Sequence, residues 1–337
     1  MAPDQPREAP ASAMTTPHLQ FLHLGYPKTA STFLQKEIFV PDRGVVNIYG
    51  DQAWERYINL ALLRMQAQDY TAAVDNAPPL PPCPDGAILG LSNENILGQS
   101  LDCGQAMARL RALFGDVPVL IVIRRQEDLL YSTYVNALRS GFVGGYADFL
   151  RYALWDWRNS VAGRVRYHRM QSEAQRHFST VRLMVFEQLR YDRKDFLSEL
   201  SDFIGVPISE SNRVVNPTEG AAGVLGWRYG NWLLRHGYGQ PRLSPLPDYI
   251  AGRGTHEEAG LVQKRTQYRR RRRIGRVVRY LDRFLPLRAG GERATVEASF
   301  ANILEDFYAA DNRALADDLG LDLGRYGYLG CKTGETG

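Results

Sequence analysis

The sequence predicts a three-layer α/β fold, in which helices flank a central parallel sheet. Short apolar runs typical of buried strands recur at residues 19–24, 87–91, 117–123 and 181–186. A segment with helical spacing follows each run, so strands and helices alternate as they do in parallel sheets. Beyond residue 217 the periodicity is purely helical, which predicts a helical C-terminal part.

The predicted helices are bounded by ordinary start and stop signals. The helix at 194–204 ends at Gly205 and Pro207, which rarely continue a helix. Five prolines at residues 76–84 form a rigid connector before the second strand. Residues 237–273, rich in Gly, Pro and Arg, are predicted to form loops around a site. The predicted helices span residues 31–39, 54–68, 104–114, 127–139, 162–178, 194–204, 225–235 and 300–319.

The composition excludes several classes of protein. With 337 residues, 44% of them hydrophobic, the chain can bury a core and is neither a disordered tail nor a small disulfide scaffold. Its three cysteines show no metal-ligand or disulfide spacing, and no apolar stretch reaches the roughly 18 residues of a membrane span. We therefore expect a soluble cytoplasmic protein with a disordered leader at 1–18 and one domain at 19–330.

The charged residues behind the formal charge of +4 are unevenly distributed along the chain. Residues 264–288 contain eleven basic residues and one acid, so the rest of the chain carries a charge of −6. Apolar residues recur at helical spacing within this basic segment, which predicts a basic amphipathic helix that can lie on an anionic membrane surface. It could equally bind an anionic glycan, close over a bound co-substrate, or pack with its arginines solvated. Nucleic acid is the least supported partner, and the role of the run at 269–273 stays open.

A first anion site is predicted where the sequence FLHLGYPKTASTFLQKEIF places a strand, a turn and a helix. Such a turn directs backbone N–H groups and the positive helix end at one spot. Lys28 adds a positive charge, and Thr29, Ser31 and Thr32 add hydroxyl donors. The spacing lacks the GxxxxGK[ST] signature of magnesium triphosphate sites. The alternative is that Ser31 or Thr32 only caps the helix and Lys28 is solvated.

A second anion site is predicted at Arg124, directly after the strand at 117–123. A P-loop kinase would often carry an Asp for magnesium here. An arginine at the carboxyl end of a parallel strand faces the ligand crevice and binds phosphate or sulfate through its planar fork. Ser132 follows eight residues later on a helix that can return it to the same crevice. Alternatively, Arg124 pairs with a core acid and Ser132 caps the helix or faces solvent.

The segments YPKTASTFL and IRRQEDLLYSTY together resemble the two cofactor motifs of sulfotransferases that use 3′-phosphoadenosine 5′-phosphosulfate (PAPS). The Arg and Ser of the family's second motif are also eight residues apart. VRLMVFEQLRYDRKDFLSELSDFIGV and VVNPTEGAAGVLGWRYGN resemble later segments of the family, the second of them in bacterial members. The resemblance covers about residues 19–235 and implies a P-loop-like fold and PAPS-dependent sulfuryl transfer that needs no metal.

The resemblance also implies roles for individual residues. Lys28 would contact the bridging and leaving oxygens of the phosphosulfate, and Phe33 stands where many members place a Trp against the adenine. Arg124 and Ser132 would bind the 3′-phosphate. Ala30 replaces the family's common Gly, which costs little if its φ is negative. The loop residues around the 5′-phosphosulfate would be Tyr26, Lys28, Thr29, Ala30, Ser31 and Thr32.

Glu94, in GLSNENILG, is the candidate base that takes the proton of the acceptor hydroxyl. It lies just past the second predicted strand, on the same sheet edge as Lys28 and Arg124, and the family places a Glu or His base in this neighbourhood. Ser92, Asn93 and Asn95 could orient it. The alternative is an acid favoured at a helix start by the dipole. His23, inside the first strand, is predicted to belong to the core or a sheet face.

These observations together predict a PAPS-dependent sulfotransferase whose acceptor hydroxyl lies on a carbohydrate or glycolipid. Trp54, Tyr57, Trp155 and Trp157 could stack on sugars, although core packing suits most of them better. Two other classes stay open. A nucleotide-dependent P-loop kinase would require magnesium and an Asp at a strand end. A non-catalytic protein that binds anionic polymers or a membrane surface would need the basic segment but neither Lys28 nor Glu94.

Overall fold

The computed structural model describes residues 18–62, 76–99, 103–140, 142–209, 224–228, 231 and 290–331. Several predictions concern residues outside these ranges. The basic segment 264–288, the loops at 237–273, the leader apart from residue 18 and most of the predicted helix 225–235 lie outside the described residues.

A single five-stranded sheet runs through the described part of the chain, and all its strand pairs are parallel. The strand order is β2-β3-β1-β4-β5, which places β1 at the centre. This confirms the predicted parallel α/β architecture. The strands are β1 (Leu19–His23), β2 (Val45–Asn47), β3 (Ile88–Ser92), β4 (Val119–Ile123) and β5 (Val181–Val185).

Helices cover both faces of this sheet. Alternate side chains of β4 enter two different apolar clusters, Ile121 on one face and Val122 on the other. A strand that is buried on both faces has a continuous apolar sequence, which is why β4 could be predicted. The helices are α1 (Ser31–Phe33, continued by a π-helical turn, Leu34–Ile38), α2 (Gln52–Tyr57, continued by a π-helical turn, Ile58–Leu62), α3 (Asn95–Gln99), α4 (Cys103–Phe114), α5 (Gln126–Arg139), α6 (Tyr146–Trp155), α7 (Val161–Arg164), α8 (Tyr167–Gln175), α9 (Phe186–Tyr191), α10 (Arg193–Ile204) and α11 (Gly290–Leu319).

The path of the chain creates a ligand crevice at the sheet centre. From β1 the chain crosses to edge strand β2, returns to β3 beside β1, and then moves to β4 on the other side of β1. In this register His23 pairs with Ser92 of β3 and with Leu120 of β4. Open α/β sheets bind ligands beyond the carboxyl ends of their strands where the direction of winding reverses. The ends of β1, β3 and β4 therefore define the expected site.

Some predicted boundaries were wrong. The predicted helix 162–178 is two helices, α7 and α8, interrupted at Val165 and Arg166. Helix α6 was missed because it follows two glycines. Its first turn is held by the Asp148 carboxylate, which accepts a hydrogen bond from the Gly145 N–H at 2.9 Å. Strand β2 was also missed, since three residues are too few for a periodic signal.

Helix α11 joins the C-terminal residues to the sheet domain. Asn312 is fully buried, and its side-chain oxygen accepts a hydrogen bond from Gln126 Nε2 at 2.6 Å. Its Nδ2 donates to the Leu329 carbonyl at 2.9 Å.

Among the residues that the structure describes, no helix is both long and apolar enough to span a bilayer.

Candidate functional site

The loop between β1 and α1 has an unusual backbone. Lys28 and Ala30 both adopt left-handed conformations, with φ of 75° and 63°. An L-residue pays about 1–2 kcal/mol in this region, because its Cβ approaches the following carbonyl. The expectation that alanine costs little at position 30 therefore fails, since it required a negative φ. The loop holds local strain at two of the residues predicted to bind the phosphosulfate.

The loop hydroxyls hold the loop itself together. Thr29 Oγ1 donates to the Tyr26 carbonyl at 2.6 Å, and Ser31 Oγ donates to the same carbonyl at 3.1 Å. Both side chains are buried, whereas Thr32 is partly exposed. In this conformation the hydroxyl hydrogens of Thr29 and Ser31 point at Tyr26, and Lys28 is the charged group of the loop.

Arg124, the first residue after β4, connects the two predicted motifs. Its Nη1 donates to the Lys28 carbonyl at 2.8 Å, and its guanidinium lies 4.7 Å from the centre of the Phe186 ring. The Tyr167 hydroxyl donates to the Arg124 carbonyl at 2.6 Å, which fixes the strand end. The bond to Lys28 brings the cationic residues of both motifs to one sheet edge.

The neighbouring Arg125 is bound elsewhere. Its Nε donates to Asp128 at 3.0 Å, and its backbone N–H donates to Glu187 at 3.1 Å. The other Glu187 oxygen accepts from the buried Tyr328 hydroxyl at 3.0 Å. Burial raises the pKa of the Glu187 carboxyl above its ordinary value, while these hydrogen bonds oppose the rise. Glu187 thus fixes the backbone beside Arg124 and links it to the C-terminal residues.

Three buried nitrogen atoms at the strand ends have no hydrogen-bond partner among the described residues. They are His23 Nε2, Asn93 Nδ2 and Arg124 Nε, at the ends of β1, β3 and β4. Buried polar groups in native proteins are nearly always hydrogen-bonded, so such a concentration calls for a partner. The residues that carry them lie at or just beyond the carboxyl ends of the three strands that border the expected crevice. Arg124 Nε and Asn93 Nδ2 are donors, so each could bind an acceptor such as a phosphate or sulfate oxygen, whereas the role of His23 Nε2 depends on the tautomer of the ring.

His23 lies in the core, as expected. It is fully buried, and its Nδ1 is 2.7 Å from Ser92 Oγ. Burial lowers the pKa of its imidazole to about 3, so the ring is neutral at physiological pH. The loop passes closely above it, since a Cβ on Gly25 would lie 3.0 Å from His23 Nε2 and 2.9 Å from Ser31 Oγ. Glycine at position 25 allows this approach.

Glu94 lies two residues beyond β3, at the edge that also holds Lys28 and Arg124. Gln35, on the π-helical turn after α1, donates from Nε2 to Glu94 Oε2 at 2.7 Å. Ser92 contacts His23, and the Asn93 side-chain oxygen accepts from the Asn95 N–H at 2.7 Å. Gln35 was missed as a site residue, although it follows Ser31 by one helical turn.

A cavity of about 330 Å³ opens beside Lys28. Its walls come from the β1 loop and from α5, α6 and α7, and most of them are apolar. Within this lining of described residues, Lys28 and Arg164 are cations and no residue is an acid. The sequence did not reveal this cavity, because it forms only where three helices meet the loop.

The other residues that the sequence analysis singled out range from buried to exposed. Phe33 is 7% exposed, and the Arg193 guanidinium lies 4.9 Å from its ring centre. Ser132 is partly buried on α5. Trp54 is 3% exposed and belongs to the core, whereas Trp155 is 89% exposed. Within the described ranges, no group of three His, Cys, Asp or Glu side chains is placed to hold a metal ion.

Neither a family model nor a curated protein matches the sequence. Parts of the fold are similar to a sulfotransferase from Alicyclobacillus acidocaldarius, with 14% identity, a TM-score of 0.37 and coverage of 59% of this chain and 87% of that one. Mouse sulfotransferase SULT7A1 complexed with PAP has 16% identity, a TM-score of 0.35 and coverage of 57% and 60%. The sulfotransferase domain from the curacin biosynthetic pathway has 14% identity, a TM-score of 0.33 and coverage of 60% and 81%.

Proposed function

We propose that the protein transfers the sulfuryl group of PAPS to an acceptor hydroxyl. The observation that carries this proposal is the hydrogen bond from Arg124 Nη1 to the Lys28 carbonyl at 2.8 Å. PAPS has two separate anionic ends, the 5′-phosphosulfate and the 3′-phosphate, and it needs a cation for each. Lys28 and Arg124 supply them at one sheet edge, where Asn93 Nδ2 and Arg124 Nε have no hydrogen-bond partner within the described ranges.

In the proposed reaction the bond between sulfur and the bridging phosphate oxygen breaks while the acceptor oxygen bonds to sulfur. Negative charge builds on the leaving phosphate. The Lys28 ammonium binds this charge more tightly in the transition state than in the ground state, which lowers the barrier. Arg124 holds the 3′-phosphate and, through its bond to the Lys28 carbonyl, positions the loop.

The acceptor hydroxyl must lose its proton, and we assign this step to the Glu94 carboxylate. Gln35 donates to one Glu94 oxygen at 2.7 Å and orients the group. The proton passes from the acceptor hydroxyl to Glu94 as the new sulfur–oxygen bond forms. Gln35 is therefore a positioning residue in this proposal.

The acceptor prediction, a carbohydrate or a glycolipid, stays a proposal. The cavity beside Lys28 is the natural place for the acceptor, and its lining includes Leu129, Phe149 and Val161. A free sugar requires many polar partners, whereas an apolar lining favours a ligand with an apolar body. Between the two predicted classes, the lining supports the glycolipid.

A transfer assay tests the proposed function. Labelled PAPS is incubated with the purified protein and a cell extract that contains lipids, and labelled products are separated. Lys28→Ala should reduce transfer by about a hundredfold or more, whereas Lys36→Ala, an exposed residue of the same segment, should not. A parallel incubation with γ-labelled ATP and magnesium tests the kinase alternative, which transfer of label from ATP but not from PAPS would support. Transfer that survives Lys28→Ala unchanged would contradict the proposal.

The contact of residues 264–288 with an anionic membrane surface at the inner face is a separate proposal from sequence. Its support is the basic amphipathic pattern, in which each basic residue contributes about 1 kcal/mol near such a surface. Deleting the segment should abolish sedimentation with phosphatidylglycerol vesicles. Sedimentation that persists without it would contradict this proposal.

A further inference from the structure

A cation lies against the aromatic ring that the resemblance to sulfotransferases places beside the adenine. Phe33 directly follows Thr32 of the β1 loop, and its side chain packs into one of the two apolar clusters and is only 7% exposed. The Arg193 guanidinium lies 4.9 Å from the centre of the Phe33 ring, and Arg193 itself is partly exposed. The surface at the end of the loop is therefore presented by the guanidinium more than by the ring.

The Arg193 guanidinium contacts this ring without a protein acceptor for its Nε. That atom is buried and has no hydrogen-bond partner among the residues that the structure describes. The neighbouring acid, Asp192, accepts a hydrogen bond from Arg325 Nη2 at 2.9 Å instead. The face of Phe33 is thus the printed contact of the Arg193 guanidinium, which is a pairing that leaves its plane able to stack on a second partner.

Helix α10 does not explain an arginine at this position. Arg193 and Lys194 are the first two residues of α10, where the helix dipole favours acids over cations. Lys194 is exposed, whereas Arg193 lies against Phe33. The ring contact therefore distinguishes Arg193 from its neighbour, and Lys194 offers a matched control for the loss of one charge.

Arg193 and Arg124 lie against rings of the same apolar cluster. The Arg124 guanidinium is 4.7 Å from the centre of the Phe186 ring, and Phe186 packs against the cluster that contains Phe33. In PAPS the ribose that carries the adenine also carries both phosphate groups, so the base lies near both anionic ends. The proposed function assigns these ends to the loop of Lys28 and to Arg124. The base is therefore expected close to the residue that ends the loop.

We propose that the adenine of the nucleotide stacks on the Arg193 guanidinium, which Phe33 supports from its other side. Guanidinium planes stack on bases as aromatic rings do. This inference rests on the proposed function and adds a residue that recognises the base. It also differs from the resemblance, which places the ring at position 33 directly against the adenine. Arg193 is a binding residue in this proposal, since it does not touch the reacting sulfur.

The experiment compares two ligands that differ only in the base. 3′,5′-Diphosphoadenosine and 1-deoxyribofuranose 3,5-bisphosphate, which has the same two phosphates and no adenine, are titrated into the full chain by calorimetry. Arg193→Gln should weaken binding of the first by about tenfold and leave the second within about twofold. Arg193→Lys should lose about as much, because an ammonium has the charge but no plane. The control Lys194→Gln, which removes an exposed charge, should change neither ligand.

Unchanged affinity for 3′,5′-diphosphoadenosine in Arg193→Gln, or wild-type affinity in Arg193→Lys, would overturn the proposal. An equal loss for both ligands would also overturn it, because Arg193 would then bind a phosphate. Retained binding of the base-free compound shows that the variant is folded. A wild type that binds neither ligand would refute the donor site together with this assignment. A wild type that binds 3′,5′-diphosphoadenosine but does not respond to changes at Arg193 would refute this assignment alone.

Discussion

Arg124 donates a hydrogen bond from Nη1 to the carbonyl oxygen of Lys28 at 2.8 Å, across 96 residues of sequence. Lys28 is held at a left-handed φ of 75°, so this bond fixes a strained residue as well as joining two strand ends. Arg124 therefore has two roles in the proposed function. It supplies a cation for the 3′-phosphate and it holds the backbone that carries the catalytic lysine.

Replacing Arg124 should affect nucleotide affinity even when the charge is kept. Arg124→Lys retains a cation but loses the planar fork, so we expect binding of 3′,5′-diphosphoadenosine to weaken by about tenfold, and by more in Arg124→Gln. Isothermal titration calorimetry measures both. Arg151→Gln, at an exposed arginine paired with Asp148, is the control and should bind normally. Normal affinity in Arg124→Gln would refute its role.

The strain at Ala30 predicts a stabilising substitution. Ala30→Gly should raise the free energy of unfolding by about 1 kcal/mol, because glycine tolerates a φ of 63°. Ala108→Gly, on the exposed face of α4, should lower it by about 1 kcal/mol. Urea denaturation checks both. A loss of stability in Ala30→Gly similar to that in Ala108→Gly would show that the left-handed conformation is absent in solution.

Substitutions at Glu94 and Gln35 should reduce the rate of sulfate transfer without weakening nucleotide binding. Glu94→Gln removes the proposed base, so sulfate transfer should fall by about a hundredfold or more while affinity for 3′,5′-diphosphoadenosine is kept. Gln35→Leu removes the orienting donor together with a longer hydrogen bond from Gln35 Nε2 to the Ser92 carbonyl at 3.3 Å, and we expect a smaller fall in kcat with an unchanged KM for PAPS. Steady-state kinetics with the true acceptor measures these effects. Near-normal turnover in Glu94→Gln would rule Glu94 out as the base.

The buried neutral His23 should make the protein less stable in acid. Burial lowers the pKa of its imidazole from 6.5 to about 3, so the unfolded chain binds a proton between these values that the folded chain does not. The stability contribution of His23 is therefore complete above pH 6.5 and is lost progressively as the pH falls toward 3. It should decline by about 2 kcal/mol between pH 7 and pH 5.

Urea denaturation at the two pH values checks this prediction by comparison of variants. The fall in stability should be about 2 kcal/mol smaller in His23→Asn than in the wild type. His18→Asn, which changes an exposed histidine, should retain the wild-type dependence. An unchanged pH dependence in His23→Asn would mean that the ring is accessible to protons in the folded state.

The fold was largely predictable from sequence for a physical reason. Strands such as β4, buried on both faces, appear as unbroken apolar runs, and in a parallel sheet their carboxyl ends share one edge. The sequence therefore predicts that Lys28, Glu94 and Arg124, which come after three of these strands, lie at that edge. Helix α6 lacked such a signal, because the glycines before it did not indicate where the helix begins.

The details of the site depend on side-chain positions that no local pattern encodes. The contact between Gln35 and Glu94 joins residues 59 positions apart, and the cavity at Arg164 requires four segments to pack together. The left-handed φ of Ala30 could not be foreseen, because glycine is the ordinary signal of that conformation. Sequence thus located the edge of the sheet, and packing determined which side chains meet there.

Calorimetric titration of the purified chain with 3′,5′-diphosphoadenosine in the presence of EDTA tests the proposed donor site most directly. We predict micromolar binding without metal, weakened in Arg124→Gln, and much weaker binding of ATP with magnesium. Absence of binding by 3′,5′-diphosphoadenosine, or binding of ATP that requires magnesium, would contradict the assignment of Lys28 and Arg124 to PAPS.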